Sequence, residues 1–157
     1  MQPARQLSSG VILTRMSRRD GEGTCEQCGH VFVYYLVHNG FNDSAYAYCD
    51  ACGSTALFSA WSAEVPKIPE LRFHGPIAPE VETFVRPCRC GGSFRGTASP
   101  RCPRCREPLS AEQATEYLER NAPGTRVGWR WQRSWSGLYA IVIEDRVTSD
   151  PWAHRAG

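Results

Sequence analysis

The sequence predicts a mostly β chain with one helix, built as two four-cysteine hairpin units and closed by a C-terminal β-hairpin. Three observations carry this. The eight cysteines fall into four close pairs. Runs of β-branched and aromatic residues lie beside those pairs. One stretch alone has both the period and the cap of a helix.

The elements follow in order. Residues 10–16, "GVILTRM", read as a first strand and residues 17–24, "SRRDGEGT", as a turn. "HVFVYYLV" reads as a buried strand, "HNGFNDS" as a loop, "AYAYC" as a returning strand and "TALFSAW" as its continuation. Residues 62–87 hold five of the eleven prolines and read as a connector, with a short helical turn at "PEVETFV" started by Pro79. The helix is "SAEQATEYLERN": Ser110 is placed to cap it, Gln113 sits at the capping-box return position, and Ala114, Tyr117 and Leu118 form an apolar stripe. "RVGWRWQRSW" and "GLYAIVIE" form the closing hairpin, the second as a well-covered central strand. The expected division is 1–61 for the first unit with its N-terminal strand, 62–87 for the connector, 88–109 for the second unit, and 110–157 for the helix and hairpin.

Cys25 and Cys28 ("CEQC") and Cys49 and Cys52 ("CDAC") are separated by twenty residues; Cys88 and Cys90 ("CRC") and Cys102 and Cys105 ("CPRC") by eleven. Short loops predict that neighbouring pairs combine, giving one quartet from the first four cysteines and one from the last four. Two thiolates on a tight turn can point at one ion, and a second turn completes a tetrahedron. Glycine follows Cys28, Cys52 and Cys90, where such a turn calls for positive φ. "CGHVF" and "CGGSF" also echo each other, which predicts that Phe32 and Phe94 pack at equivalent places beside the sites.

With these residues in view, residues 24–60 and 86–110 resemble zinc ribbons, and "CEQCG" and "CDACG" look like rubredoxin-type knuckles. The resemblance implies fold and metal, with two zinc ions as cofactors, and no particular task. Iron fits the same four-sulfur geometry. "CRC" departs from the usual two-residue gap. A site closed by four thiolates leaves no open position for substrate, which argues against catalytic metal.

Residues 1–85 carry 6 basic and 9 acidic groups; residues 86–157 carry 12 and 7, and 17 of the 18 basic residues are arginine. Four thiolates around a divalent ion leave a charge of −2, which Arg89, Arg101, Arg104 and Arg106 are placed to offset. The longest apolar run, residues 31–37, has seven residues, far short of the ~20 that span a bilayer. The start lacks the apolar centre of a secretory signal, so the expected location is the cytoplasm.

No nucleophilic triad, phosphate-cradling loop or dinucleotide fingerprint is present, so no enzyme and no small-molecule substrate are expected. The expected function is a zinc-stabilised protein-binding module: an adaptor, an inhibitor or an immunity-type protein. Phe41, Tyr46 and Trp135 are its candidate anchors, because aromatic residues dominate interface energetics. The alternative is a nucleic-acid-binding protein using Arg86, Arg95, Arg126, Arg130 and Arg133, the last three interleaved with tryptophans.

Overall fold

The computed structural model describes residues 19–62, 65–68, 72–121 and 138–153. Within them the chain is mostly β. Strands β1 (Arg19–Thr24), β2 (Val31–His38) and β7 (Tyr139–Ile143) form one antiparallel sheet in the order β1-β2-β7. Strands β3 (Ser44–Cys49), β4 (Thr55–Ser59), β5 (His74–Pro76) and β8 (Val147–Thr148) form the other, ordered β5-β3-β4-β8, and β6 (Phe94–Arg95) also pairs with β3. Helix α1 is Pro79–Glu82 and helix α2 is Ala111–Asn121.

The strand at β1 falls where the sequence predicts a turn. Its glycines serve a different purpose. A Cβ at Gly21 would collide with the Tyr34 ring, and one at Gly23 with the ring of Tyr117. These glycines let two aromatic rings lie flat on the strand. Tyr34 and Tyr117 stack at 4.1 Å between ring centroids, and Phe32 meets Tyr117 edge-on at 6.3 Å. The first strand predicted at residues 10–16 lies outside the described residues.

Helix α2 packs on this sheet through the expected stripe; Ala114, Tyr117 and Leu118 are all buried. The Ser110 hydroxyl accepts the Gln113 N–H at 3.1 Å, so the predicted cap forms. The return half of the capping box does not. Gln113 Nε2 instead donates to Thr24 O at 2.8 Å and to the Tyr117 hydroxyl at 3.1 Å, tying α2 to β1. Ser110→Ala should cost about 1 kcal/mol, measured as a lower urea midpoint with an unchanged denaturant slope. Helix α1 begins at Pro79, as expected.

The two sheets meet at β7. Tyr46 and Tyr48 from β3 pack with Ala140, and the Ile141 N–H donates to the Tyr48 hydroxyl at 2.7 Å. This corrects the reading of Tyr46 as a surface anchor: it is 1% exposed because it fills the seam between the sheets. The strand predicted to pair with β7, at residues 126–135, lies outside the described residues. No described helix is long and apolar enough to cross a membrane.

Candidate metal centres

Each cysteine pair sits in the same small frame. The N–H of the first cysteine donates forward across the turn: Cys25 to His30 O at 2.8 Å, Cys49 to Ser54 O at 2.8 Å, Cys102 to Glu107 O at 2.9 Å. The residue four positions on donates back to that cysteine's carbonyl: Gly29, Gly53 and Arg106, at 3.0, 3.0 and 2.9 Å. "CRC" builds the same frame one residue shorter, with Cys88 N–H to Gly92 O and Gly91 N–H to Cys88 O, both 2.9 Å. The residue after each second cysteine has positive φ: Gly29 75°, Gly53 79°, Gly91 95° and, without the help of glycine, Arg106 67°. The glycine pattern in the sequence therefore marks real knuckles.

The knuckles combine otherwise than the spacing predicts. Cys25, Cys28, Cys102 and Cys105 form one group; Cys49, Cys52, Cys88 and Cys90 form the other, with all four sulfurs of each within 4.8 Å of one another. The closest contacts are 3.5 Å for Cys25–Cys105 and Cys49–Cys90, and 3.7 Å for Cys28–Cys102 and Cys52–Cys88. Four sulfurs ~2.3 Å from a common centre would stand about 3.8 Å apart, so each group fits one ion. The centres are nested: the inner one closes between chain positions that the outer one encloses.

Sheet pairing explains the correction. A quartet from the first four cysteines would need β2 and β3 to run side by side, but they lie in different sheets. Strand β6 pairs Cys49 with Phe94 and Tyr48 with Arg95, which sets "CRC" against "CDAC". Helix α2, fastened to Thr24, carries the preceding knuckle of Cys102 and Cys105 to Cys25 and Cys28. Loop entropy opposes this weakly. Separations of 74 and 36 residues, in place of local ones three- to fourfold shorter, cost roughly 1 kcal/mol each. Binding of a structural ion contributes on the order of 10 kcal/mol per site, so packing decides. Phe32 joins the core around Cys25 and Cys102, and Phe94 that around Cys49, Cys52 and Cys88, as the echo predicts.

Most hydrogen bonds to sulfur come from the backbone, and one side chain joins them: Ser54 Oγ lies 3.2 Å from Cys52 Sγ. Gln27, Ala51, Gly92 and Arg104 N–H each donate at 3.4 Å, to Cys25, Cys49, Cys90 and Cys102. Among the described residues, no guanidinium group bonds a sulfur, so the side chains of Arg89, Arg101, Arg104 and Arg106 are not hydrogen-bond donors to the thiols. The arginine that matters here is one the sequence reading passed over. Arg146 donates to Cys52 O at 3.0 Å and Arg101 O at 3.3 Å, joining the inner centre to the residue before Cys102 of the outer one. A Cβ on Gly53 would strike the Arg101 backbone, so the knuckle of Cys49 and Cys52 packs directly against the chain entering the knuckle of Cys102 and Cys105. The only sequence signal for Arg146 was its place in a sharp turn after a buried strand.

Asp50, inside "CDAC", makes a second clamp. It accepts from Ser93 N–H at 2.9 Å and from Arg95 Nε at 3.0 Å. The Ser93 N–H chiefly, against partial burial and with help from Arg95, holds its carboxyl below the usual range. That contribution to stability is present above the ordinary carboxylate pKa and fades as pH falls through the depressed one. Arg95 also binds Glu82 at 3.2 Å, and Arg86 lies 3.7 Å from Asp150. Phe41 is exposed, while Trp135, Arg126, Arg130 and Arg133 lie outside the described residues. His30 Nε2 bonds Glu144 at 2.8 Å and belongs to neither sulfur group.

The thiols of each group divide in acidity. Burial raises Cys25 and Cys52, but hydrogen bonds outweigh it: backbone N–H groups chiefly bring Cys25 down to about 7, and Ser54 chiefly brings Cys52 to about 6. Burial chiefly pushes Cys49 up to about 12, and Cys88 rises too. Cys105 rises to about 12, since burial and neighbouring thiols outweigh its bond from the Glu107 N–H. Cys25 in one group and Cys52 in the other ionise readily, while Cys105, Cys49 and Cys88 resist until a cation arrives. Loading at neutral pH should therefore release about three protons per ion, read by calorimetry in buffers of different ionisation enthalpy, and acidification should expel the metal.

A family model described as a domain of unknown function (DUF8255) matches residues 21–111, a stretch holding all eight cysteines. No curated protein and no solved structure matches the chain. The family match covers more than half of the sequence, and the chain belongs to the DUF8255 family.

Proposed function

We propose that the chain is a non-catalytic, zinc-stabilised protein-binding module acting in the cytoplasm as an adaptor, inhibitor or immunity-type protein. Zinc suits four thiolates in a tetrahedron without redox chemistry, and such a closed set offers substrate no vacant position. The ions then replace a large apolar core as the rigid support of a binding surface.

The observation that carries the reading is a pair of exposed aromatic side chains. Phe41 is 76% exposed and Trp61 84%. Ser44 pairs with Ser59, and the Ala60 N–H donates to Asp43 O at 2.9 Å, which sets the two aromatics at one end of the five-stranded sheet. Rigidly held aromatics of this kind serve as binding hot spots. Arg95, gripped by two carboxylates, is poorly placed for phosphates, which favours protein over nucleic acid.

The test is affinity capture with the full-length, zinc-loaded chain and with a Phe41→Ala/Trp61→Ala double variant. A specific protein partner should bind the parent and lose about 2 kcal/mol or more with the variant, while fold and zinc content stay the same. Capture of RNA or DNA instead, with a steep loss on added salt, would support the rival reading.

A further inference from the structure

A cavity of about 710 Å³ lies beside the inner metal centre, lined in part by Arg86, Cys88, Arg89, Arg146, Val147 and Ser149. Its size falls in the ~300–1,000 Å³ range of ligand-binding clefts. One side is a sheet edge, for among the described residues β8 is terminal in its sheet. Val147 and Thr148 pair in parallel with Thr55 and Ala56, and the Thr55 N–H donates to Arg146 O at 3.1 Å. In that register Thr148 turns its backbone groups toward β4, so Val147 turns its N–H and C=O the opposite way. Such an edge is a template for another strand.

The lining also carries charge that is only partly answered. Among the described residues Arg89 forms no ion pair. Arg86 meets Asp150 only at 3.7 Å, with both side chains well exposed. Asp145, also in the lining, already accepts from the Tyr35 hydroxyl at 2.9 Å. The frame is firm: the Arg86 N–H donates to Pro151 O at 2.9 Å, and Val85 bridges Trp152.

We propose that this cleft captures an extended peptide segment of a partner protein, added as a strand to the outer edge of β8, with a carboxylate side chain bound by Arg86 and Arg89. A peptide answers both the backbone edge and the guanidinium groups, whereas a bare phosphate leaves the Val147 groups unpaired. A single carboxylate also suits the site better than a dianion, because the lining already holds the side chains of Asp145 and Asp150. The proposal rests on the protein-binding reading for the kind of partner, and not on Phe41 or Trp61.

The test pans random linear peptides on phage against the full-length, zinc-loaded chain, then titrates an enriched peptide by calorimetry and amide NMR. The expected result is a consensus with Asp or Glu among β-branched residues and shifts at the Val147 and Ser149 amides. Affinity should fall about tenfold or more for Arg89→Glu and for Val147→Pro. Should Val147→Pro fail to fold, Arg89→Glu alone decides. The proposal is overturned by no enrichment, by shifts elsewhere, by full affinity in Arg89→Glu, by inorganic phosphate producing the same shifts alone, or by self-association through this edge. Failure here with capture through Phe41 and Trp61 intact removes this cleft only; failure of both removes the protein-binding reading.

Discussion

Cys25→Ser should unfold far more than the knuckle it sits in. The substitution leaves the outer group three thiolates, and two of its remaining ligands, Cys102 and Cys105, lie at the far end of the metal-binding stretch. The loss is on the order of 10 kcal/mol of ion binding, against a total stability of roughly 5–15 kcal/mol for a domain. Because the outer centre encloses the inner one, the Cys102 knuckle and the packing of α2 on β1 should loosen together. Metal content should fall from two ions to one or none, and near-ultraviolet circular dichroism from the Tyr34–Tyr117 stack should collapse. Retention of native ellipticity with one ion would show that the centres are independent lobes.

Arg146→Met is expected to have the next largest effect. The guanidinium bonds the carbonyls of Cys52 and Arg101, and methionine fills similar volume with no donor. Two charge-assisted bonds disappear and two carbonyls near the centres lose a partner, at a cost of about 3 kcal/mol. The more telling readout is coupling. In the parent, filling one centre should raise affinity at the other, since Gly53 of one knuckle rests on the backbone beside the other. In Arg146→Met that gain should shrink, seen as two separate phases in a chelator titration. Equal coupling in both proteins would leave Arg146 a bystander.

Much of this architecture is legible from local chemistry. Pro79 starts α1 and Ser110 caps α2, because each satisfies a local backbone need that no distant contact alters. The glycines after Cys28, Cys52 and Cys90 mark positive φ for the same reason. Phe32 and Phe94 were found through their repeated place after a knuckle. What failed was long-range. Loop length favours quartets of neighbouring pairs, yet it is worth only about 1 kcal/mol per site, less than one well-packed strand pairing. Gly21 and Gly23 look like turn residues until Tyr34 and Tyr117 are seen lying against them. Tyr46 is an aromatic near a loop, and nothing local says that Ala140 will cover it. Arg95 and Asp50 find each other only once β6 has docked on β3.

The same contrast separates the cysteines as ligands from the cysteines as partners. Which residues bind follows from knuckle spacing; which bind together follows from two sheets and a helix. The central claim is therefore the nested pairing, and cadmium-substituted protein tests it most directly. Proton–cadmium correlation NMR links each ion to the β-protons of its own cysteines. One ion should correlate with Cys25, Cys28, Cys102 and Cys105, and the other with Cys49, Cys52, Cys88 and Cys90. Correlations joining Cys25 and Cys28 to Cys49 and Cys52 on a single ion would contradict the account.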